Sequence, residues 1–60
     1  MTPIELKQAR EKAGITQEQM ALKLGIGTST LRYWESAEVL TDRQQSSLDA
    51  RFYKIKKELS

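Results

Sequence analysis

Apolar residues recur along this chain at helical spacing, and capping residues divide the pattern into segments. The first segment opens with Thr2-Pro3-Ile4-Glu5, in which Thr2 can cap, proline suits the first helical position and Glu5 completes a capping box. It ends at Gly14, a residue typical of helix C-termini. The residues expected on its inward stripe are Ile4, Leu6, Ala9, Arg10 and Ala13.

Two shorter helices follow on either side of a glycine-rich break. Thr16 and Gln19 form a second capping box, and the helix that they open is expected to run to about Leu24. The break is Gly25-Ile26-Gly27, with Ile26 as an apolar plug, and a third helix is expected from about Thr28 to Glu35. The spacing of residues 17–36 is therefore typical of a helix-turn-helix, whose second helix usually faces the DNA major groove. The inward positions are Met20, Ala21, Leu24, Leu31 and Trp34, which makes Trp34 a core residue rather than a base-stacking one.

A long helix is expected over about residues 41–59, because Thr41 and Gln44 form a third capping box and nothing up to Leu59 breaks the pattern. Its apolar residues are spaced four, three and four apart, as in helix-helix seams. Leu48, and in one alternative Phe52 with it, is expected to close the chain's own core, whereas Ile55 and Leu59 lie too far along to be covered by so small a domain. The residues predicted to pair with a second copy are Phe52, Ile55 and Leu59. The whole pattern predicts an all-α fold of four helices, or five, in a single domain over residues 1–60.

Composition narrows the possible functions. The chain has 60 residues with no cysteine and no histidine, which excludes disulfides, thiol chemistry and the usual zinc sites. No phosphate-cradling glycine loop or candidate catalytic pair is present, so we expect no enzyme activity, no cofactor and no small-molecule ligand. Its apolar runs are too short for a membrane span or a signal peptide, which predicts a cytoplasmic protein. The net charge of +2 permits DNA binding without arguing for it.

The first 36 residues resemble the lambda-repressor and Cro-like helix-turn-helix family of phage and bacterial regulators. The resemblance runs without a gap from Thr2 to Ser36 and includes the helix that precedes the motif. The residues that carry it are Leu6, Arg10, Gly14-Ile15-Thr16-Gln17, Met20-Ala21, Leu24-Gly25-Ile26, Ser29-Thr30-Leu31 and Trp34-Glu35.

The resemblance implies a DNA-binding transcription regulator, such as a phage repressor, a Cro-like protein or an autoregulator. The predicted pairing through the C-terminal seam would make it a homodimer suited to a palindromic operator in double-stranded DNA. Gln17 would face a phosphate at the start of the second helix. Thr28, Ser29 and Tyr33 would touch base edges, and Arg32 would pair with guanine or grip a phosphate. Arg10 and Glu35 would form a partly buried structural ion pair. The DNA-binding residues are then Gln17, Thr28, Ser29, Thr30, Arg32, Tyr33 and Arg43.

The chain departs from the family pattern in two places. Gly27 stands where Ser or Thr usually caps the third helix. The following segment, residues 36–40, contains an acid and no base, where the family often has a basic loop that grips phosphate. Arg43 is the nearest cation beyond it. This departure leaves open a protein-interaction module, antirepressor-like, that uses the apolar C-terminal helix instead of DNA contacts.

A second, shorter resemblance also stays open. The segment from Thr30 to Glu35, TLRYWE, is similar to a segment of MerR-like regulators, in which a winged-helix unit is joined to a small-molecule or metal sensor. Those proteins begin almost directly with their helix-turn-helix and continue into a wing. Here a complete helix precedes the motif and another follows it.

Overall fold

Four helices and short connections make up the fold in the computed structural model, which describes residues 1–59. The helices are α1 (Pro3–Ala13), α2 (Gln17–Leu24), α3 (Thr28–Ser36) and α4 (Asp42–Leu59). The predicted all-α architecture with four helices is confirmed. No strand occurs within residues 1–59, whereas a MerR-like wing would need strands.

The helix ends are set by the residues that the sequence pattern identified. The Thr2 hydroxyl accepts from the Glu5 amide at 3.1 Å while the Glu5 carboxylate accepts from the Thr2 amide at 2.8 Å. Thr16 and Gln19 make the same reciprocal pair at 3.1 and 2.9 Å, as do Thr41 and Gln44 at 3.2 and 3.0 Å. Each box satisfies N–H groups that a helix start would otherwise leave without a partner.

One core joins all four helices. Its largest fully buried side chains are Leu6, Met20, Leu31 and Leu48, one from each helix, and Trp34 is only 4% exposed. The prediction of a core tryptophan is therefore confirmed. Ile4 was wrongly placed on the inward stripe, since it is 68% exposed. Pro3 occupies the buried position of that turn, and Ile4 lies about 100° further round the helix.

The expectation that the end of the α4 seam stays uncovered in a single chain is wrong. Ile55 is 6% exposed and belongs to the core, and Phe52 and Leu59 are half-buried against it. The first and last Cα atoms of the 18-residue α4 lie about 26 Å apart, which equals the longest dimension of the molecule, 26 Å. The helix thus spans the whole domain, packing on α1 and α2, and its seam is used inside the chain.

The start of the chain is attached to α4 by an exposed polar cluster. The Met1 ammonium lies 3.0 Å from Asp49 Oδ1. The Gln45 amide donates to the same carboxylate oxygen at 2.9 Å and also to the Met1 carbonyl. Hydrogen bonds from the ammonium and from Gln45 hold the pKa of Asp49 below its ordinary value.

Acid is expected to weaken this attachment. Because the folded-state pKa of Asp49 is lowered, its contribution to stability is present above the unfolded-state pKa and is lost as the pH falls through the folded-state value. Asp49→Asn should therefore flatten the fall in melting temperature between about pH 5 and pH 2. Glu11→Gln, an exposed carboxylate on α1, is the matched control. Equal slopes for wild type and Asp49→Asn in circular-dichroism melts would contradict the assignment.

Candidate nucleic-acid interface

The outward face of α3 carries polar and aromatic side chains. Since Leu31 and Trp34 are buried, the helical register turns Ser29, Arg32 and Tyr33 to the opposite side. Tyr33 is 51% exposed. Thr28 is half-buried at the first position of the helix, and Thr30 is exposed on the flank.

An ion pair ties α1 to the end of α3. Arg10 Nε donates to Glu35 Oε2 at 2.8 Å, and Nη2 donates to Oε1 at 3.3 Å. Arg10 Nη1 also donates to the Ile15 carbonyl at 3.1 Å. The side chains are 14% and 4% exposed, so the guanidinium supplies the charge that makes a nearly buried carboxylate tolerable.

Gln17 is held by the same carboxylate. Its Nε2 donates to Glu35 Oε1 at 3.2 Å, which fixes the side chain at the start of α2. The first N–H groups of α2, at Gln17 and Glu18, have no carbonyl partner within the helix. The N-terminal end of α2 therefore presents free donors and a fixed amide beside Glu35, an arrangement suited to an anion.

A polar crevice, called here the basic crevice, lies where α1, the start of α2 and the end of α3 meet. It contains three cations and one carboxylate, which is as much net positive charge as the whole chain carries. Its lining residues are Lys7, Arg10, Gln17, Arg32, Glu35 and Ser36.

Lys7 is a candidate contact that the sequence reasoning missed. Charges are spread evenly along the chain, and only folding brings the middle of α1 beside Gln17 and Arg32. The signal that could have found it is its position one turn before Arg10, on the face of α1 that was predicted to meet Glu35. Arg43 is exposed in the first turn of α4 and does not line the basic crevice.

The geometry of residues 17–36 defines a helix-turn-helix. A helix-turn-helix family model matches residues 6–45, two thirds of the chain, and the protein belongs to this family, the lambda-repressor-like group of DNA-binding regulators. No curated protein matches the chain, and neither does any solved structure.

Residues 1–59 contain no group of three or more histidine, cysteine or acidic side chains that could hold a metal ion. None of the helices in this range combines the length and the apolar character needed to cross a bilayer.

Proposed function

We propose that this protein is a cytoplasmic transcriptional repressor or autoregulator that recognises a palindromic operator as a homodimer, with α3 in the major groove. The observation that carries the proposal is the exposed face of α3 lying next to the basic crevice. A DNA-binding regulator needs both parts, since base contacts specify and phosphate contacts position.

Ser29 and Tyr33 are assigned to base recognition. They lie one turn apart on α3, and their hydroxyl groups can bond base edges while the tyrosine ring contacts a thymine methyl. Thr28 and Thr30 stand beside them near the start of the helix. Gly27 adds no side-chain cap to α3, so the first N–H groups of the helix remain available to acceptors on DNA.

Lys7, Arg32 and the start of α2 are assigned to the phosphate backbone. Arg32 lines the basic crevice with Lys7 and Gln17, which favours a phosphate contact for Arg32 over a guanine contact. Residues 36–40 contain an acid where the family often has a basic loop, and the basic crevice then supplies part of the positive charge that such a loop would provide. Arg43 adds a separate cation at the start of α4.

Two copies are proposed to assemble on adjacent half-sites. One copy offers one recognition helix and few cations, so a second copy about one DNA turn away, roughly 34 Å, doubles both kinds of contact. The buried state of Ile55 means that this assembly is not proposed to rest on the α4 seam.

The antirepressor-like alternative rests on the acidic 36–40 segment and the low net charge. It would need an apolar face of the C-terminal helix as the docking surface for another regulator, and the apolar residues of that helix are packed within the chain. Leu48 and Ile55 are buried in the chain's own core, and Phe52 and Leu59 pack against it.

Fluorescence anisotropy with duplexes from the region upstream of the protein's own gene tests the proposal. Wild type is expected to prefer one duplex over a scrambled control, with an affinity that falls steeply with salt. Ser29→Ala and Tyr33→Ala should each cost about 1–3 kcal/mol on the preferred duplex and little on the scrambled one. Lys7→Ala should weaken both and reduce the salt slope by about 1.

Lys12→Ala is the matched control for Lys7, because it is an exposed lysine on α1 outside the basic crevice. Failure of wild type to bind any of these duplexes at low salt would contradict the proposed function. Equal losses on both duplexes in the Tyr33 variant would contradict its role in base recognition.

A further inference from the structure

The turn between α2 and α3 is held from outside the motif by one arginine of α4. Arg51 Nη1 donates to the Leu24 carbonyl at 2.9 Å and to the Gly25 carbonyl at 3.2 Å. Its Nε donates to Ser47 Oγ, one turn earlier on α4, at 3.2 Å. These bonds orient the guanidinium, with Nε toward Ser47 and Nη1 toward the end of α2.

The two carbonyls lie at the point where α2 ends. The last carbonyls of a helix have no partner within it and form the negative end of the helix dipole, which a cation stabilises. Gly25, with φ of 72°, closes the helix by donating to Leu22 at 3.2 Å, and Ile26 donates to Ala21 at 3.0 Å. The Gly25 and Ile26 N–H groups are thus bound by carbonyls of α2, and the Leu24 and Gly25 carbonyls are bound by Arg51.

Gly25 and Arg51 fit each other closely. A Cβ at position 25 would lie 3.2 Å from Arg51 Nη1, and the positive φ disfavours any side chain there. Glycine at position 25 thus allows the left-handed backbone conformation that ends α2, and it leaves room for the Arg51 guanidinium to approach the backbone.

The recognition helix starts three residues after Gly25 and has no side-chain cap of its own. Its N-cap is Gly27, which makes no side-chain hydrogen bond. The direction in which α3 leaves the turn, and so the placement of Thr28 and Ser29, depends on how firmly residues 24–27 are held. Ile26 is half-buried against the core on one side, and Arg51 binds the backbone on the other.

We propose that Arg51 is a positioning residue for DNA recognition, which holds the α2–α3 turn and thereby the start of α3 in the orientation that reads the groove. This inference rests on the proposed function. Arg51 acts through the turn backbone, since its Nη1 donates to the Leu24 and Gly25 carbonyls while its Nε is held by Ser47 Oγ.

The test compares Arg51→Ala, Arg51→Lys and Lys54→Ala, the last being an exposed cation one turn further along α4. Affinity for the preferred upstream duplex and for its scrambled control is measured at a temperature where circular dichroism shows every variant folded. Arg51→Ala is expected to bind the preferred duplex about tenfold more weakly, or 1.4 kcal/mol, with the salt slope unchanged. Arg51→Lys should recover part of the loss, and Lys54→Ala should retain the preference of wild type.

Amide exchange gives a readout that needs no DNA. The Gly25 and Ile26 amides should exchange about tenfold faster in Arg51→Ala, while the Leu6 amide in α1 keeps its protection. Unchanged affinity in Arg51→Ala, or a salt slope shallower by about 1 as for a direct phosphate contact, would overturn the proposal. If wild type binds no upstream duplex, the proposed function and the positioning role in DNA recognition fail together, whereas the exchange data still show whether Arg51 holds the turn.

Discussion

Replacing Arg10 by methionine is expected to lower the free energy of unfolding by about 3–5 kcal/mol, because it leaves an almost buried Glu35 carboxylate without its counter-charge. Two hydrogen bonds to Glu35 and one to the Ile15 carbonyl disappear together. A domain of this size is rarely more stable than about 3–5 kcal/mol, so a large fraction of the molecules, about half or more, should be unfolded near room temperature. Thermal and urea unfolding followed by circular dichroism measures the loss.

Two further variants separate the charge effect from the loss of a long side chain. Lys12→Met removes a cation from the exposed side of the same helix and should change stability by less than about 0.5 kcal/mol. Adding Glu35→Gln to Arg10→Met removes the unpaired carboxylate charge while keeping an acceptor for Gln17. The double variant should therefore be more stable than Arg10→Met alone, although less stable than wild type. A melting temperature of Arg10→Met within a few degrees of wild type would show that Glu35 does not depend on this partner.

The same pair connects stability to the surface proposed to face DNA. Glu35 holds Gln17 as well as Arg10, and Arg32 lies on the neighbouring wall of the basic crevice. A change at Glu35 therefore disturbs the start of α2 in addition to the packing of α1 on α3. Loss of DNA binding in such variants has to be compared at equal folded fraction before it is assigned to contacts.

The sequence could predict the helices because their ends depend on local chemistry. Thr2, Thr16 and Thr41 each bond to a residue three positions later, and Gly14 and Gly25 adopt the left-handed conformation that ends a helix. The buried positions of the motif follow from helical periodicity in the same way. The pairing of Arg10 with Glu35 needed more than periodicity, and the family resemblance supplied it.

The contacts between distant helices were the part that the sequence could not predict. Lys7 joins the basic crevice and Arg51 reaches the α2–α3 turn only because α1 and α4 pack where they do. The heptad-like spacing of apolar residues predicts that one face of α4 is covered. It does not show whether the chain's own core or a second copy covers that face. That ambiguity produced the wrong expectation for Ile55, and it can be tested directly.

Ile55→Ala should destabilise the protein by about 2–5 kcal/mol, because Ile55 is 6% exposed within the single chain and its truncation leaves a cavity beside the core. For a domain this small the loss corresponds to a fall in melting temperature of roughly 10 °C or more. Since the contacts lie within one molecule, the fall should be the same at every protein concentration. A dimer seam would behave differently, because its stability rises with concentration.

The matched control is Tyr53→Ala, an exposed aromatic residue two positions earlier on α4 whose contact with Lys56 is worth at most about 1 kcal/mol. Melting curves over a wide concentration range, with mass by light scattering at each concentration, provide the measurement. Wild type and Ile55→Ala should have the same mass in the absence of DNA. If Ile55→Ala instead converts a dimer to a monomer and loses stability only at low concentration, then residue 55 forms part of an interface between copies. In that case the packing of α4 on α1 and α2 is not what covers it.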